Sequence, residues 1–87
     1  MKWFSKRFDK YISVTQHAVD RMRERSVTRA ELKFLIELGK IHQKDGIRQW
    51  IYLKFPYRQD NMISATISLE GEVVVKTVMH NWTLVEV

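Results

Sequence analysis

The hydrophobic pattern of this chain changes period once, at Gly39, and that switch limits the folds open to it. Before it, apolar residues recur every three or four positions: Val14, Ala18 and Met22, then Leu32, Leu35 and Ile36. Such spacing stacks side chains on one face of a helix. After it, apolar and polar residues alternate. Ile47, Gln49, Ile51, Leu53 and Phe55 fall on one side, and Arg48, Trp50, Tyr52 and Lys54 on the other. A period of two belongs to strands. A chain that is helical first and extended afterwards predicts an α+β fold, with two or three N-terminal helices packed on one face of a four-stranded antiparallel sheet. At 87 residues this is one domain, spanning 1–87, with a small core.

Local signals divide the chain further. Ser13 and Thr15 compete to cap the first helix, and Ser13 to Gln16 has the spacing of a capping box. That helix is expected to stop near Arg25–Ser26. Thr28 to Glu31 is a second capping box, and Gly39 stands where the second helix should end. Residues 13–39 therefore read as two helices. Residues 40–87 read as an antiparallel meander. It starts with a short strand over Lys40–Lys44, an Asp45-Gly46 hairpin turn and a strand over Ile47–Phe55. Pro56 and a polar loop over Tyr57–Asn61 follow. The next strand, Met62–Leu69, is expected to turn Ile63, Ala65, Ile67 and Leu69 inward. Glu70-Gly71 leads to the strand Glu72–His80, and Asn81–Val87 extends it or adds one more. Residues 1–12 are a basic aromatic segment. Phe4, Phe8 and Tyr11 or Ile12 have helical spacing there, so a short amphipathic helix is expected; a basic arm that stacks on bases is the alternative.

The formal net charge is +5. Residues 1–30 hold Lys2, Lys6, Arg7, Lys10, Arg21, Arg23, Arg25 and Arg29 against Asp9, Asp20 and Glu24, and the rest of the chain is balanced. All the excess lies on the N-terminal third, which points to a polyanion partner. Lys6, Arg7, Lys10, Arg23 and Arg29 are the candidate nucleic-acid contacts. The chain has no cysteine, so a cytoplasmic setting is expected. No apolar run approaches the ~20 residues that cross a bilayer, and no membrane partner is expected.

His17, Arg21 and Arg25 are four residues apart, so one imidazole and two guanidiniums share a slowly drifting helical stripe. Arg is a permanently charged fork of donors, and His exchanges a proton near neutral pH. That set suits RNA cleavage by attack of the ribose 2′-hydroxyl on the adjacent phosphate. The step needs proton transfer and cations for the developing charge. His17 and His80 are candidates for proton transfer, Arg21 and Arg25 for clamping phosphate, and Thr77, Tyr52 and Lys76 for donating hydrogen bonds. In a regular strand Thr77 and His80 face opposite ways unless a bulge intervenes. His17, Asp20 and Glu24 have a spacing that could hold a metal, but neighbouring arginines repel a cation. No metal and no cofactor is expected. Glycine-rich phosphate loops, zincin motifs and nucleophile elbows are all missing from the sequence.

The run His17-Ala18-x-x-Arg21-Met22-x-x-Arg25-x-Val27, the helix ending at Leu38-Gly39-Lys40, and the strand Val75-Lys76-Thr77-Val78 resemble a group of small bacterial domains of unknown function. Their pattern is HAxxRMxxRG(I/V), a helix, then a meander. That group is similar to the ribonuclease-toxin superfamily of barnase, EndoU enzymes, tRNA-cleaving colicins and RelE-like toxins, the BECR fold. The resemblance implies a toxin-like, metal-independent endoribonuclease acting on tRNA or mRNA. His17, Arg21, Arg25 and Thr77 would be its catalytic residues, with His80 and Tyr52 as possible additions. It also implies an antitoxin or immunity protein as a partner. The alternative is a non-catalytic RNA- or protein-binding module on the same scaffold. One departure is Ser26, where the group has Gly; if that position needs a positive φ, Ser carries a cost of ~1 kcal/mol.

Overall fold

A computed structural model describes residues 1–55 and 61–80, with Asn61 and His80 described by their backbone only. The polar loop and the final strand expected at 57–61 and 81–87 fall largely or wholly outside those residues. The chain runs β1 (Lys2–Ser5), β2 (Lys10–Val14), α1 (Gln16–Glu24), α2 (Arg29–Leu38), β3 (Lys40–Gln43), β4 (Arg48–Lys54), β5 (Asn61–Ser68) and β6 (Glu72–His80). The six strands form one sheet in the order β1-β2-β6-β5-β4-β3. β2 and β6 pair in parallel; every other pair is antiparallel.

This corrects the expected architecture. The sheet is six-stranded and mixed, not four-stranded and antiparallel, and the described residues hold only two helices. The difference lies at the N-terminus, where a β1–β2 hairpin replaces the expected amphipathic helix. Short aromatic segments fit both periods, and tertiary pairing decides between them. Here Trp3 pairs across from Ile12 and Phe4 from Tyr11, with the Phe4 and Tyr11 rings edge to face at 5.2 Å. Asp9 turns the hairpin with φ of 53°, a conformation Asp tolerates better than most residues. β2 then lies against β6 through Ile12–Val73 and Val14–Val75.

Both helices cover one face of the sheet. α1 rests on β6, and α2 spans β4 and β5. Ala18 and Met22 of α1 and Leu32, Leu35 and Ile36 of α2 are buried against Ile12, Ile51, Val73, Val75 and Val78. Each large apolar side chain buried this way contributes ~1.5–3 kcal/mol. The Thr28–Glu31 capping box forms as its sequence implies.

β5 is turned over relative to the expectation. Register with β4 pairs Ser64 with Ile51 and Thr66 with Gln49, so the hydroxyl residues face the helices. Ile63, Ala65 and Ile67 face away. Two hydrogen bonds permit this: Ser64 donates to the Thr77 carbonyl at 3.2 Å and Thr66 to the Gln49 carbonyl at 3.3 Å. Buried hydroxyls satisfied within the sheet cost little. The alternation rule found the strand, but could not tell which side was the inner one.

Gly39 closes α2 in an extended conformation, with φ of −70°. It is needed for space, not for a left-handed cap. A Cβ there would stand 2.5 Å from the Leu35 carbonyl oxygen and 2.8 Å from Ile51 Cγ2. Ser26 does sit at positive φ, 54°. Gly39→Ala should therefore lose about 1–3 kcal/mol in urea unfolding, whereas Ser26→Gly should gain about 0.5–1 kcal/mol. Equal stability of the two variants would refute both arguments.

The β3–β4 turn is held by Asp45. Its carboxylate accepts from the backbone N–H groups of Arg48 and Ile47 and from Arg48 Nε at 2.6 Å. Those bonds, led by the Arg48 backbone, lower its pKa to about 2. A depressed carboxyl pKa stabilises the turn above the unfolded value of about 3.9. That support is lost as pH falls toward 2. A carbon-detected NMR titration should show Asp45 still ionised at pH 3; an ordinary midpoint would contradict the turn geometry.

Candidate nucleic-acid interface

Helix α1 starts where β2 leaves the sheet. Thr15 is its N-cap, and the Thr15 hydroxyl accepts from the Ala18 N–H at 3.1 Å. Ser13, the rival cap, stays in β2. Thr15 also reaches back to β6: its N–H donates to the Val75 carbonyl at 3.2 Å and its hydroxyl to the Lys76 carbonyl at 3.3 Å. Past Val75, β6 has no strand on this side among the described residues, and α1 packs against it there.

A bulge marks that point. Ala65 pairs with Thr77 and Thr66 with Val75, leaving Lys76 as the extra residue in β6. Val75 and Val78 are then both buried beneath the helices. Thr77, between Lys76 and Val78, falls on the far face of the sheet in the same row as Ala65 and Trp50. The structure therefore does not bring Thr77 together with the helix stripe. Tyr52 is half-buried on that far face as well, opposite Lys40 and Ile63. The His80 side chain is outside the described residues.

The stripe itself turns as its spacing requires. Four residues make slightly more than one turn, so each step rotates by about 40°. His17 is exposed, while Arg21 and Arg25 are half-buried. Arg21 pairs with Glu24 at 2.6 Å, its side chain 39% exposed. Such a pair contributes ~0–1 kcal/mol and is readily exchanged. Arg25 donates from Nη1 to the Val78 carbonyl at 3.1 Å, capping the open edge of β6. His17, Asp20 and Glu24 do not converge, and no three metal-ligating side chains cluster among the described residues.

The five further basic candidates separate into two groups. Arg7 and Lys10 are committed to the fold. Arg7 donates to the Ile36 carbonyl at 2.8 Å and the Gly39 carbonyl at 2.6 Å, which satisfies the end of α2 and places a cation at its negative pole. Lys10 donates to the Ser68 hydroxyl at 3.3 Å. Lys6, Arg23 and Arg29 are exposed, with no hydrogen bond or ion pair among the described residues. Arg23 lies about 120° around α1 from His17, at 100° per residue, and so borders a different face. The Arg7 role was missed because nothing local in sequence links residue 7 to a helix end three elements later.

Residues 14–86 match the family model described as "Domain of unknown function (DUF4258)". The chain belongs to the DUF4258 family. No curated protein and no solved structure matches it. The DUF4258 match covers α1, α2 and β3–β6, and all of the β1–β2 hairpin but Val14 precedes it. No described helix is long and apolar enough to cross a membrane.

The two groups of basic residues give different outcomes. Arg7→Ala should lose about 1–2 kcal/mol of stability, the scale of a charged hydrogen-bond donor removed. The double change Arg23→Ala, Arg29→Ala should leave the urea midpoint within error. A fall in stability there would place those two side chains in the fold after all.

Proposed function

We propose that this domain binds RNA through α1 and cleaves it without a metal, by 2′-hydroxyl attack on the neighbouring phosphate, in the manner of a BECR-type ribonuclease toxin. The observation that carries the reading is the exposed His17, with the half-buried, cationic Arg21 one turn further along the same stripe. A proton-exchanging group beside a phosphate-binding cation is the minimum the reaction needs. The run from His17 to Val27 resembles the pattern of a group of small bacterial domains of unknown function, and the similarity of that group to ribonuclease toxins supports the reading.

The rise of the helix assigns the parts. His17 and Arg21 are ~6 Å apart along the axis, and His17 and Arg25 ~12 Å, at 1.5 Å per residue. His17 and Arg21 reach one phosphate together; Arg25 serves its neighbour. His17 takes the 2′-hydroxyl proton as O2′ bonds to phosphorus and returns it to the 5′-oxygen as the P–O5′ bond breaks, which leaves a 2′,3′-cyclic phosphate. Arg21 exchanges Glu24 for the reacting phosphate. Thr77 has no part in this arrangement. An acidic antitoxin or immunity protein, where one exists, would cover the same stripe, and the work of such a toxin is in the cytoplasm.

The second reading, a non-catalytic RNA-binding module, is favoured by two facts: the stripe offers one imidazole, and Thr77 faces away. The two readings part on one experiment. Bulk tRNA and mRNA are incubated with the protein in EDTA and the 3′ ends are mapped. The ribonuclease reading expects cyclic phosphate ends from the wild type and none from His17→Ala, with unchanged circular dichroism. Intact RNA that is nonetheless bound, with affinity falling steeply as salt rises, would establish the module instead.

A further inference from the structure

The face of the sheet turned away from the helices carries a groove of about 340 Å³ that the α1 reading does not use. Lys44, Arg48, Trp50, Ala65, Ile67 and Lys76 line it. The volume is at the low end for small-ligand pockets, about 300–1,000 Å³. Register explains why a hollow forms here. Trp50, Ala65 and Thr77 form one cross-strand row, and Arg48, Ile67 and Val74 the next. Ala65 is the smallest side chain among these, and it sits between the indole of Trp50 and β6. The bulge then places the exposed Lys76 at the rim.

The lining has an unusual balance. Its floor is apolar and aromatic, and its charged members are all cations. Arg48 meets Asp45 through Nε alone, so its terminal nitrogens remain available to a ligand. Lys44 and Lys76 are exposed. A flat, weakly polar body carrying a phosphate matches this lining: the body lies against the indole and Ala65, and the phosphate meets the lysines and Arg48. We infer that this groove is a second anion site, which binds one nucleotide unit by its base and phosphate, either free or within a single strand. The inference needs no cleavage and does not depend on α1.

The test is an amide-shift NMR titration of the full chain with adenosine monophosphate, with hexauridylate and with a polyglutamate peptide. Shifts at Trp50, Ala65 and Lys76 with either nucleotide ligand are expected. Monophosphate binding identifies a site for a free nucleotide; hexauridylate binding alone identifies one for a nucleotide in a strand. Lys44→Glu and Lys76→Glu change exposed side chains and should remain folded, as a urea midpoint checks. Each should weaken the nucleotide about tenfold at low salt, the loss of one phosphate contact. Three results would overturn the inference: shifts confined to α1, affinity indifferent to both charge reversals, or binding of polyglutamate without nucleotide. Because His17 is not in the groove, loss of RNA cleavage with these shifts intact would remove the α1 reading and leave this one standing.

Discussion

Among the described residues, strand β6 is paired over only about half its length on one side, and the rest of the fold is arranged around that fact. β2 accompanies it from Glu72 to Val75 and then turns away into α1. An open strand edge exposes carbonyls that cost ~1–3 kcal/mol each if buried unpaired, and that invite pairing with other chains if exposed. Helix α1 closes the edge with two residues. Thr15 bonds the carbonyls of Val75 and Lys76, and Arg25 bonds that of Val78. In a regular strand successive carbonyls point to opposite sides. The bulge at Lys76 turns two in a row toward Thr15 and re-phases Val78 into the core. Core packing, helix capping and edge protection thus meet on a few residues.

Contacts within the fold use much of the basic charge concentrated at the N-terminus. Arg7 ties the β1–β2 turn to the end of α2, Lys10 reaches Ser68, Lys2 lies over the Tyr11 ring at 5.2 Å, and Arg25 serves β6. Guanidinium suits such work because its several donors can reach two carbonyls at once. An excess of positive charge on one segment is therefore an ambiguous sign. Part of it holds the backbone together, and only the part left in solvent adds to an attractive field.

The sequence was legible where a signal was local. The Thr28–Glu31 box, the end of α2 at Gly39, the Asp45-Gly46 turn and the alternation of β4 all rest on residues within a few positions of each other. Failures came where a distant partner decided the matter. Phe4, Phe8 and Tyr11 fit a helix as well as a hairpin, and only pairing of β2 with β6 selects the strand. Ile63, Ala65 and Ile67 look like an inner face until register with Ile51 and Val78 puts Ser64 and Thr66 there. The stripe of His17, Arg21 and Arg25 was visible, because helical spacing is local. That Thr77 lies across the sheet from it was not, since one extra residue at Lys76 decides the phase, and nothing in Val75-Lys76-Thr77-Val78 announces a bulge.

Cleavage and binding make different demands on that stripe. Binding is served by charge alone, wherever it can reach a phosphate. Acceleration of a displacement at phosphorus requires donors fixed before the charge develops, because donors that must reorganise give back what they gain. Arg25 is fixed: half-buried, with one N–H on the Val78 carbonyl and further N–H groups to spare. Arg21 is held by the exposed Glu24, and the His17 side chain is exposed. The three side chains thus differ in how firmly they are held, Arg25 by backbone and Arg21 by an exposed carboxylate. In the ribonuclease reading, a strand anchored on Arg25 would present its next phosphate to Arg21 and His17, and catalysis there would require the RNA to draw Arg21 off Glu24. The bond that seals β6 is in that sense also the fixed point from which any chemistry on α1 must be built.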